Sequence, residues 1–377
     1  MKNVLIIAYY YYPFQGVGAK RASYWGRNLS KVADDIECTI ITATKQNEKI
    51  CDEEIIYIEA TSKVSLLNFL IKDEGLMWLG NLKKYFKNIK KNKKYDVVII
   101  TGGPFFHFSI AKFLKKMFNS KIILDFRDPF SSNPRYNNNY LIKVFKKALE
   151  IGFVKSADIV ITVNKSCERL ISGSQRYSSK FKIIENGYDD VLVDEIKKIG
   201  CFKKENSSSL KIIYAGTFYN DVNTDNFINV ITQKDLTSRV EFIHVGKERK
   251  GICGDNVKSL GVRSYKETLQ LISSSDICLI ITGGKDFEST TKIFDYLAFN
   301  KIILVITGGE IKSGNINEIL RKTPNVYWAY NEVFDINRIL KIIIEKNSND
   351  KTEYPTYEFS RLNGLYKLLE IIKLLCY

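Results

Sequence analysis

The stretch VVIITGGPFFHFSIAKFLKKMFNSKIILDFRD, residues 97–128, holds the pattern that decides the fold. Two short apolar runs, 97–100 and 121–124, enclose a segment with the apolar spacing of a helix at 109–119. The runs are rich in β-branched residues and show little polar alternation, which is typical of strands buried on both faces of a parallel sheet. A strand, a helix and a second strand in this order predict the crossover unit of an open α/β sheet.

The same alternation continues along the chain and restarts once. Further runs of this kind lie at 4–8, 38–42, 159–163, 211–215, 240–245, 277–281 and 302–306. The chain of 377 residues suffices for two domains of about 150 residues each. We therefore expect two Rossmann-like, doubly wound parallel-sheet domains that face each other across a cleft, with ligands beyond the carboxyl ends of the strands.

The restart of the pattern also places the domain boundaries. We expect an N-terminal domain at 1–190, a linker at 191–208 and a C-terminal domain at 209–350. The linker is assigned to a mixed polar segment that contains Ser207 and Ser208. Residues 351–377 are expected to form a C-terminal helix that packs back on the N-terminal domain.

The charge of the chain is positive and unevenly distributed. There are 57 Lys and Arg residues against 42 Asp and Glu residues, a net charge of +15. Residues 1–190 carry +12 of this charge and residues 191–377 carry +3. The basic half is expected to face an acidic partner, which is nucleic acid, an anionic membrane or a phosphorylated substrate. A general compositional bias toward lysine is the alternative. The globular composition excludes disordered, collagen-like and disulfide-scaffold classes.

The cysteines and the apolar runs indicate the compartment. The seven cysteines are widely spaced and form no CxxC pair, namely Cys38, Cys51, Cys167, Cys201, Cys253, Cys278 and Cys376. Such a pattern disfavours a disulfide framework and a zinc site and suits a reducing cytosol. No stretch approaches the ~18 apolar residues of a membrane-spanning helix. We therefore expect a cytoplasmic protein.

A glycine-containing loop follows the first predicted strand and precedes a helix. Gly16 and Gly18 allow backbone N–H groups to approach a ligand closely, and an anionic group such as a phosphate would suit this position. The spacing is neither the GxGxxG of dinucleotide-binding proteins nor that of a P-loop, so a nicotinamide cofactor and a P-loop are excluded. An ordinary turn is the alternative.

Charged side chains follow two further strands of the first domain. His107 lies in the loop after residues 97–100 and is expected to face the cleft as a base or hydrogen-bond donor. A packed loop histidine is the alternative. Asp125 and Arg127 are expected to pair with each other, since three charges at a strand end are costly to bury unpaired. Asp128 is then left to face the cleft as a base or hydroxyl acceptor.

In the second domain, a glycine turn and a helix start form the candidate ligand site. Gly216 follows the strand at 211–215, and Thr291 lies where N-cap residues predict a helix start. Lys292 in the first helical turn opposes the helix dipole, and an anionic diphosphate would reverse that cost. Asp295, three residues on, can accept the hydroxyls of a ribose. The alternatives are that Asp295 complements the dipole or pairs with Lys292.

A basic and aromatic segment at 65–94 is the candidate membrane contact. Its first part mixes leucines with Met77 and Trp78, and its second part is rich in lysine. Such a segment suits an interfacial helix on an anionic leaflet. A solvated helix face is the alternative.

Five motifs, in this order and spacing, resemble those of GT-B glycosyltransferases of the family 4 kind that act in bacterial surface polysaccharide biosynthesis. The motifs are YPFQGVG at 12–18 with Arg21, DFRDPF at 125–130, ENGYD at 185–189, YAGT at 214–217 and TKIFDYLA at 291–298. The resemblance covers nearly the whole chain.

The resemblance implies a retaining, metal-independent hexosyltransferase. The second domain would hold a nucleotide-diphosphate sugar as donor substrate, and the first would hold a glycan or lipid-linked acceptor of capsule, O-antigen or exopolysaccharide assembly. No metal and no further cofactor would be required, because protein cations stabilise the departing diphosphate. With the basic first half, this places the protein as a peripheral enzyme on the inner face of the cytoplasmic membrane.

The resemblance also assigns residues. The donor would contact Gly16, Gly18, Gly216, Thr217, Lys247, Thr291, Lys292 and Asp295, the acceptor would contact Arg21 and Arg127, and catalysis would depend on Asp128, His107 and Lys292. Asp128 and His107 both fit the family's acid–base position, and the sequence does not rank them.

Two departures from the family pattern keep other functions open. Family members have an acidic residue where Phe287 stands, with Glu288 adjacent here, and many have an arginine soon after the glycine turn, where Thr217 and Phe218 stand. A sugar-nucleotide epimerase of the same fold and a non-catalytic scaffold are therefore alternatives. A nucleic-acid-binding protein is disfavoured, because no zinc pattern or RNA-binding motif is present.

Overall fold

The chain folds into two compact α/β units. A computed structural model describes residues 1–14, 16–45, 54–61, 71–89, 93–133, 139–199, 209–218, 223–247, 252–286, 288, 290–346 and 354–376. Unit 1 comprises residues 1–185 and 364–377, and unit 2 comprises residues 186–363. The C-terminal stretch 364–377 therefore groups with the first unit.

Unit 1 contains a seven-stranded sheet in which every strand pair is parallel. The strand order is β3-β2-β1-β4-β5-β6-β7. The strands are Lys2–Ala8 (β1), Ile36–Thr42 (β2), Glu54–Tyr57 (β3), Val97–Thr101 (β4), Lys121–Phe126 (β5), Ile159–Thr162 (β6) and Phe181–Ile183 (β7). The central strands are buried on both faces, as their β-branched composition predicts.

Unit 2 repeats this architecture with six parallel strands. The order is β10-β9-β8-β11-β12-β13. The strands are Leu210–Ala215 (β8), Val240–Val245 (β9), Val257–Ser259 (β10), Ile277–Thr282 (β11), Ile302–Thr307 (β12) and Val326–Tyr330 (β13). The predicted fold class, two doubly wound parallel-sheet domains, is confirmed.

The helices connect successive strands in both units. Those of unit 1 are Val17–Val32 (α1), Glu74–Asn88 (α2), Ala111–Phe118 (α3), Tyr140–Ser156 (α4) and Lys165–Leu170 (α5). The helices that follow are Asp190–Ile199 (α6), Asp225–Ile231 (α7), Lys234–Thr237 (α8), Tyr265–Ser274 (α9), Lys292–Ala298 (α10), Gly314–Leu320 (α11), Val333–Glu345 (α12) and Arg361–Cys376 (α13). Short 3₁₀ helices occur at Phe106–Ile110, Ser178–Lys180 and Tyr357–Phe359.

Each sheet has one point at which the strand order reverses. In unit 1 this point lies between β1 and β4, and in unit 2 between β8 and β11. Ligands of open α/β sheets bind beyond the carboxyl ends of the strands at such a point, because the loops on its two sides diverge and leave a crevice. In unit 2 one of these loops contains Gly216, and the other leads from β11 to Lys292 at the start of α10.

The segment expected to be a linker starts as a helix of unit 2. Residues Asp190–Ile199 form α6, and Val193 and Ile196 are buried in the apolar core of that unit. The charged residues Asp194, Lys197 and Lys198 lie on the exposed face of this helix. Residues 200–208, the rest of the expected linker, lie outside the described residues.

The apolar part of the predicted membrane segment is packed in the interior. Trp78, Leu82 and Phe86 on α2 are fully buried in the unit 1 core, and the Trp78 indole donates a hydrogen bond to the Ile58 carbonyl at 2.7 Å. The interpretation of 65–94 as an interfacial helix is therefore wrong for its described residues, because the apolar face has a partner within the protein. Residues 62–70 lie outside the described residues. Across the part of the chain that the structure describes, no helix is both long and apolar enough to cross a bilayer.

Candidate functional site

In unit 2, the loops after β8 and β9 meet without room for side chains. A Cβ added at Gly246 would collide with the Gly216 carbonyl. That carbonyl also accepts a hydrogen bond from His244 Nε2 at 3.1 Å, and the Gly216 N–H donates to the Val245 carbonyl at 2.7 Å. Gly216 itself has a φ of 139°, a conformation that favours glycine. The backbone at this end of the sheet is therefore tightly positioned.

Lys292 extends its amine toward this glycine loop. It is the first residue of α10, and a Cβ at Gly216 would lie 3.2 Å from its Nζ. The amine also lies 3.4 Å from the centre of the Tyr214 ring. This apolar enclosure lowers the pKa of Lys292 to about 7, because burial disfavours the charged form. Near neutral pH the amine is therefore protonated in only part of the molecules, and an adjacent anion would favour its charged form.

Aromatic rings and a histidine form the floor beneath the glycine loop. The Tyr214 ring stacks on Phe218 with ring centres 3.9 Å apart, and Phe218 lies 4.8 Å from the His244 ring. Phe218 and His244 are buried, and Ser259 Oγ lies 3.2 Å from the other ring nitrogen of His244. His244 and Gly216 are 28 residues apart in the chain, so local sequence patterns do not connect them.

Asp295 points into the interior of unit 2. It is buried, and its Oδ1 accepts a hydrogen bond from the Tyr265 hydroxyl at 2.6 Å. Arg361 extends the network, since it donates to that hydroxyl at 3.3 Å and to Asp189 Oδ2 at 2.9 Å. Burial and the adjacent Asp295 carboxylate raise the pKa of Tyr265 well above its ordinary value. The ribose contact expected of Asp295 stays a prediction.

The remaining predicted donor residues lie around the same edge of the sheet. Thr217 and Lys247 are exposed and follow β8 and β9 directly. Thr291 is the N-cap of α10, and its side chain makes no capping hydrogen bond. Glu288 accepts a hydrogen bond from Thr282 Oγ1 at the end of β11. Phe287, the departure from the family pattern, lies outside the described residues.

In unit 1, Arg127 ties together the loops on the two sides of the switch point. Its Nη1 donates to the Gly18 carbonyl at 2.6 Å, and its Nε donates to the Gly102 carbonyl at 3.1 Å. The expected pairing of Arg127 with Asp125 is wrong. Asp125 instead lies 3.5 Å from the guanidinium of Arg21 in a buried ion pair. Asp125 is a buried residue of β5, paired in register with Thr101 of β4, whereas Arg127 lies beyond the end of the strand.

Arg21, predicted to bind the acceptor, is held inside unit 1. Its guanidinium donates to the Ile184 carbonyl at 2.8 Å and lies 4.6 Å from the centre of the Trp25 ring. Burial lowers the pKa of Arg21, and the Asp125 carboxylate acts against that shift. These contacts position α1 against the sheet, and an acceptor contact by Arg21 stays a prediction.

His107 does not face solvent, contrary to the expectation for a residue lining the cleft. It is fully buried, and its Nε2 lies 3.1 Å from the Thr101 carbonyl. Its ring packs edge-on against Trp78 with ring centres 5.3 Å apart. Burial lowers the pKa of His107 to about 3, so the ring is neutral at physiological pH. These contacts agree with the alternative given for His107, a histidine packed within its loop.

Asp128 is exposed at the carboxyl end of β5, where a cleft-facing residue is expected. The loop that follows it is held by the buried carboxylate of Glu150. That carboxylate accepts hydrogen bonds from the backbone N–H groups of Phe130 at 2.6 Å, Ser131 at 3.0 Å and Ser172 at 2.6 Å. Sequence reasoning missed Glu150, since a single acidic residue in a helix gives no local signal.

The glycines after β1 are covered by aromatic rings. The Phe14 ring lies where a Gly16 side chain would project, and the Tyr10 ring lies 3.0 Å from the position of a Gly18 Cβ. The two rings stack with centres 4.5 Å apart, and Phe14 is exposed. The loop therefore presents an aromatic surface as well as backbone groups.

The described residues contain no group of three or more His, Cys, Asp and Glu side chains placed to hold a metal ion. Protein cations at the carboxyl edges of the two sheets include Lys292 in unit 2 and Arg127 in unit 1.

Known structures of the same fold were found, although no family model and no curated protein matches the sequence. The chain is similar to sucrose-phosphate synthase from Thermosynechococcus elongatus, with a TM-score of 0.67, 12% identity and coverage of 100% of this chain and 99% of that chain. It is similar to Anabaena HepE in complex with UDP and glucose, with a TM-score of 0.65, 12% identity and coverage of 99% and 100%. It is also similar to UDP-GlcNAc 2-epimerase from Neisseria meningitidis bound to UDP-GlcNAc, with a TM-score of 0.62, 12% identity and coverage of 99% and 100%. The chain therefore has the GT-B fold.

Proposed function

We propose that this protein is a glycosyltransferase that moves a hexosyl group from a nucleotide-diphosphate sugar to a glycan or lipid-linked acceptor. One observation carries the proposal: the amine of Lys292 lies beside the Gly216 loop at the switch point of unit 2. This is the place where a GT-B protein that uses a nucleotide sugar needs a cation, because negative charge accumulates on the departing diphosphate. The complexes of HepE with UDP and of the epimerase with UDP-GlcNAc support a nucleotide sugar as the ligand class.

Each donor residue has a separate role in this proposal. Lys292 gains its proton as the diphosphate binds and stabilises the leaving group as the glycosidic bond breaks. Backbone N–H groups at Gly216 and Thr217 contact phosphate oxygens, which requires the side-chain-free approach seen there. Lys247 and Thr291 add contacts at the rim, and Asp295 accepts a ribose hydroxyl.

The acceptor side is assigned to unit 1. Asp128, the exposed carboxylate at the end of β5, accepts a hydrogen bond from the attacking hydroxyl and orients it, and the hydroxyl proton passes to the departing diphosphate as the new glycosidic bond forms. Arg127 positions the loops that would contact the acceptor, and Gly16 and Gly18 bring backbone groups close to it or to the donor phosphates. His107 is not assigned a chemical role, because its buried neutral ring has no access to solvent.

The finer assignments follow from the resemblance of the sequence motifs. We propose a retaining, metal-independent transfer of the family 4 kind, in which Lys292 supplies the positive charge. The process is the assembly of capsule, O-antigen or exopolysaccharide, on the cytoplasmic side of the membrane. The basic first half of the chain supports a peripheral association with an anionic membrane surface.

A sugar-nucleotide epimerase is the second candidate, because one of the similar structures is such an enzyme. An epimerase releases its product from the nucleotide sugar alone, whereas a transferase forms product only when an acceptor is present. An assay without acceptor therefore distinguishes the two activities.

The test is calorimetric titration with UDP-, GDP- and dTDP-sugars, followed by product analysis with and without lipid-linked oligosaccharide acceptors. We expect one nucleotide class to bind and product to require the acceptor. Lys292→Ala should abolish transfer without unfolding the protein, whereas Lys322→Ala, at an exposed site of the same unit, should retain it. A fully active Lys292→Ala variant would exclude the phosphate role, and product without acceptor would favour the epimerase.

A further inference from the structure

Helix α4 of unit 1 has an unusual distribution of apolar and charged side chains. Its solvent-facing side is apolar: Tyr140 is 76% exposed, Leu141 74%, Val144 48% and Phe145 43%. At 3.6 residues per turn these four side chains lie within an arc of roughly 140°. The buried side of the same helix carries the charged residues Lys146 and Glu150 beside the apolar Phe153 and Val154. The exposed apolar face of its first two turns therefore departs from the pattern of a surface helix, whose solvent-facing side is polar.

Hydrogen bonds fix this orientation of the helix. Glu150 accepts from two backbone N–H groups of the loop after β5, from the Ser172 N–H and from the Ser131 hydroxyl at 2.7 Å. The Lys146 ammonium lies over the Phe130 ring at 5.2 Å and is attracted by the Asp73 carboxylate. A rotation that buried Leu141 and Phe145 would break these buried polar contacts, which is costly. The apolar face is therefore held outward.

The surroundings of the apolar face are basic. Lys143, Lys147 and Lys155 are exposed on α4. The chain contains no Asp or Glu between Asp128 and Glu150, and Glu150 is buried. An exposed apolar patch rimmed by lysines is complementary to a surface that is apolar beneath an anionic layer.

We propose that the α4 face, defined as Tyr140, Leu141, Val144 and Phe145 with the rim lysines Lys143, Lys147 and Lys155, docks unit 1 on an anionic lipid bilayer. The inference rests on the membrane association included in the proposed function and locates it on the molecule. It replaces the segment at 65–94, in whose described part the apolar side chains of Trp78 and Leu82 pack in the core.

The geometry suits a helix that lies in the plane of the membrane. Leu141 and Phe145 enter the boundary between headgroups and acyl chains, Tyr140 lies at the headgroup level, and the lysine stems extend back to the lipid phosphates. A second copy of this chain fits the face poorly, because docking two copies through it would oppose two sets of the same positive charges.

The test is co-sedimentation of the full-length protein with phosphatidylcholine vesicles, with and without phosphatidylglycerol. The apolar variant is Leu141→Gln with Phe145→Gln. Its control is Phe334→Gln, which replaces an apolar side chain of α12 that is 80% exposed. The basic variant is Lys143→Gln with Lys147→Gln, and its control is Lys83→Gln with Lys84→Gln on α2. All the replaced side chains are exposed, so the fold should persist in circular dichroism spectra.

We expect wild-type protein to bind the anionic vesicles more strongly than the neutral ones. The apolar variant should lower the partition coefficient at least about tenfold, and the basic variant by about fivefold per lysine. Both controls should bind as the wild type does.

Four outcomes would overturn the proposal. Binding that is lost only in the Lys83 and Lys84 variant would place the docking surface on α2. Binding of wild type and α4 variants alike would show that the association is real and its location wrong, whereas no binding at all would also remove membrane association from the proposed function. A wild-type dimer in light scattering that the apolar variant dissociates would identify the face as a self-interface. Donor calorimetry is independent of lipid, so a failure of the transferase assignment is read separately.

Discussion

The amine of Lys292 should take up a proton when a nucleotide-diphosphate sugar binds. Burial over the Tyr214 ring lowers its pKa to about 7 in the free protein. A diphosphate beside the amine favours the charged form and moves the pKa back toward or above its ordinary value of 10.5. Binding and protonation of this one group are therefore coupled.

The magnitude follows from the free and bound values. Near pH 8, an amine with a pKa of about 7 is charged in about one molecule in ten, so binding takes up about 0.9 proton. Near pH 6 the amine is already charged, and uptake falls to about 0.1 proton. Because the charged form binds, donor affinity is highest below pH 7 and weakens as pH rises through 7, by about tenfold between pH 6 and pH 8.

The assay is calorimetry of the same titration in two buffers of different ionisation enthalpy, repeated at both pH values. The difference in apparent binding enthalpy between buffers gives the number of protons taken up. A nucleotide sugar is the correct ligand, since its diphosphate diester does not titrate in this interval. Lys292→Met keeps an unbranched side chain over Tyr214 and should bind more weakly with no uptake, whereas Lys322→Met should match the wild type.

Two results would refute this reasoning. Wild-type protein that binds the donor near pH 8 without proton uptake would show that the amine is already charged or does not contact the diphosphate. An equal uptake in Lys292→Met would assign the proton to another group.

Three further substitutions test the surrounding structure. Gly246→Ala should weaken donor binding in calorimetry, because its Cβ displaces the Gly216 carbonyl. The control Gly80→Ala, in open space on α2, should stabilise the protein by about 1 kcal/mol and leave donor binding unchanged. Equal donor affinities of the two variants would count against the packed loop. Glu150→Gln should lower the free energy of unfolding in urea by about 3 kcal/mol, because an amide nitrogen cannot accept the backbone hydrogen bonds of the loop after β5, and an exposed control, Glu370→Gln, should change nothing. His107 has a pKa of about 3 against an ordinary 6.5, so its neutral form stabilises the fold fully above pH 6.5 and this stability is lost toward pH 3. His107→Gln should therefore remove about 1.4 kcal/mol per pH unit from the acid-side slope of unfolding free energy, and an unchanged slope would contradict the burial of the ring.

Much of the fold is predictable from local sequence patterns. The apolar runs at 4–8, 97–100 and 277–281 are parts of β1, β4 and β11, and most of the helix predicted at 109–119 is observed as Ala111–Phe118. Such elements depend on residues a few positions apart, which a sequence displays directly. The strands that were not predicted, β3, β7, β10 and β13, are the edge strands of the two sheets, and three of them are among the shortest.

The candidate site was predictable in its position and less so in its partners. The glycine turns and Lys292 follow strand ends, so their place at the carboxyl edge of a sheet is a consequence of topology. The partners of charged groups are not local. Arg127 meets Gly18 across 109 residues, and Asp125 meets Arg21 rather than its sequence neighbour Arg127.

The sequence by itself determined two parallel sheets, their strand-end loops and the presence of a cation next to a glycine turn, because periodicity and turn chemistry act over short distances. Only the tertiary structure decided which faces are covered. Trp78 on α2 packs in the core while Leu141 on α4 stays outside, although both lie in apolar, lysine-rich stretches of sequence. The physical reason is that burial depends on the free energy of the best available contacts. Trp78 packs in the core and donates a hydrogen bond to a backbone carbonyl, whereas on α4 the hydrogen bonds of Glu150 keep that residue on the buried side.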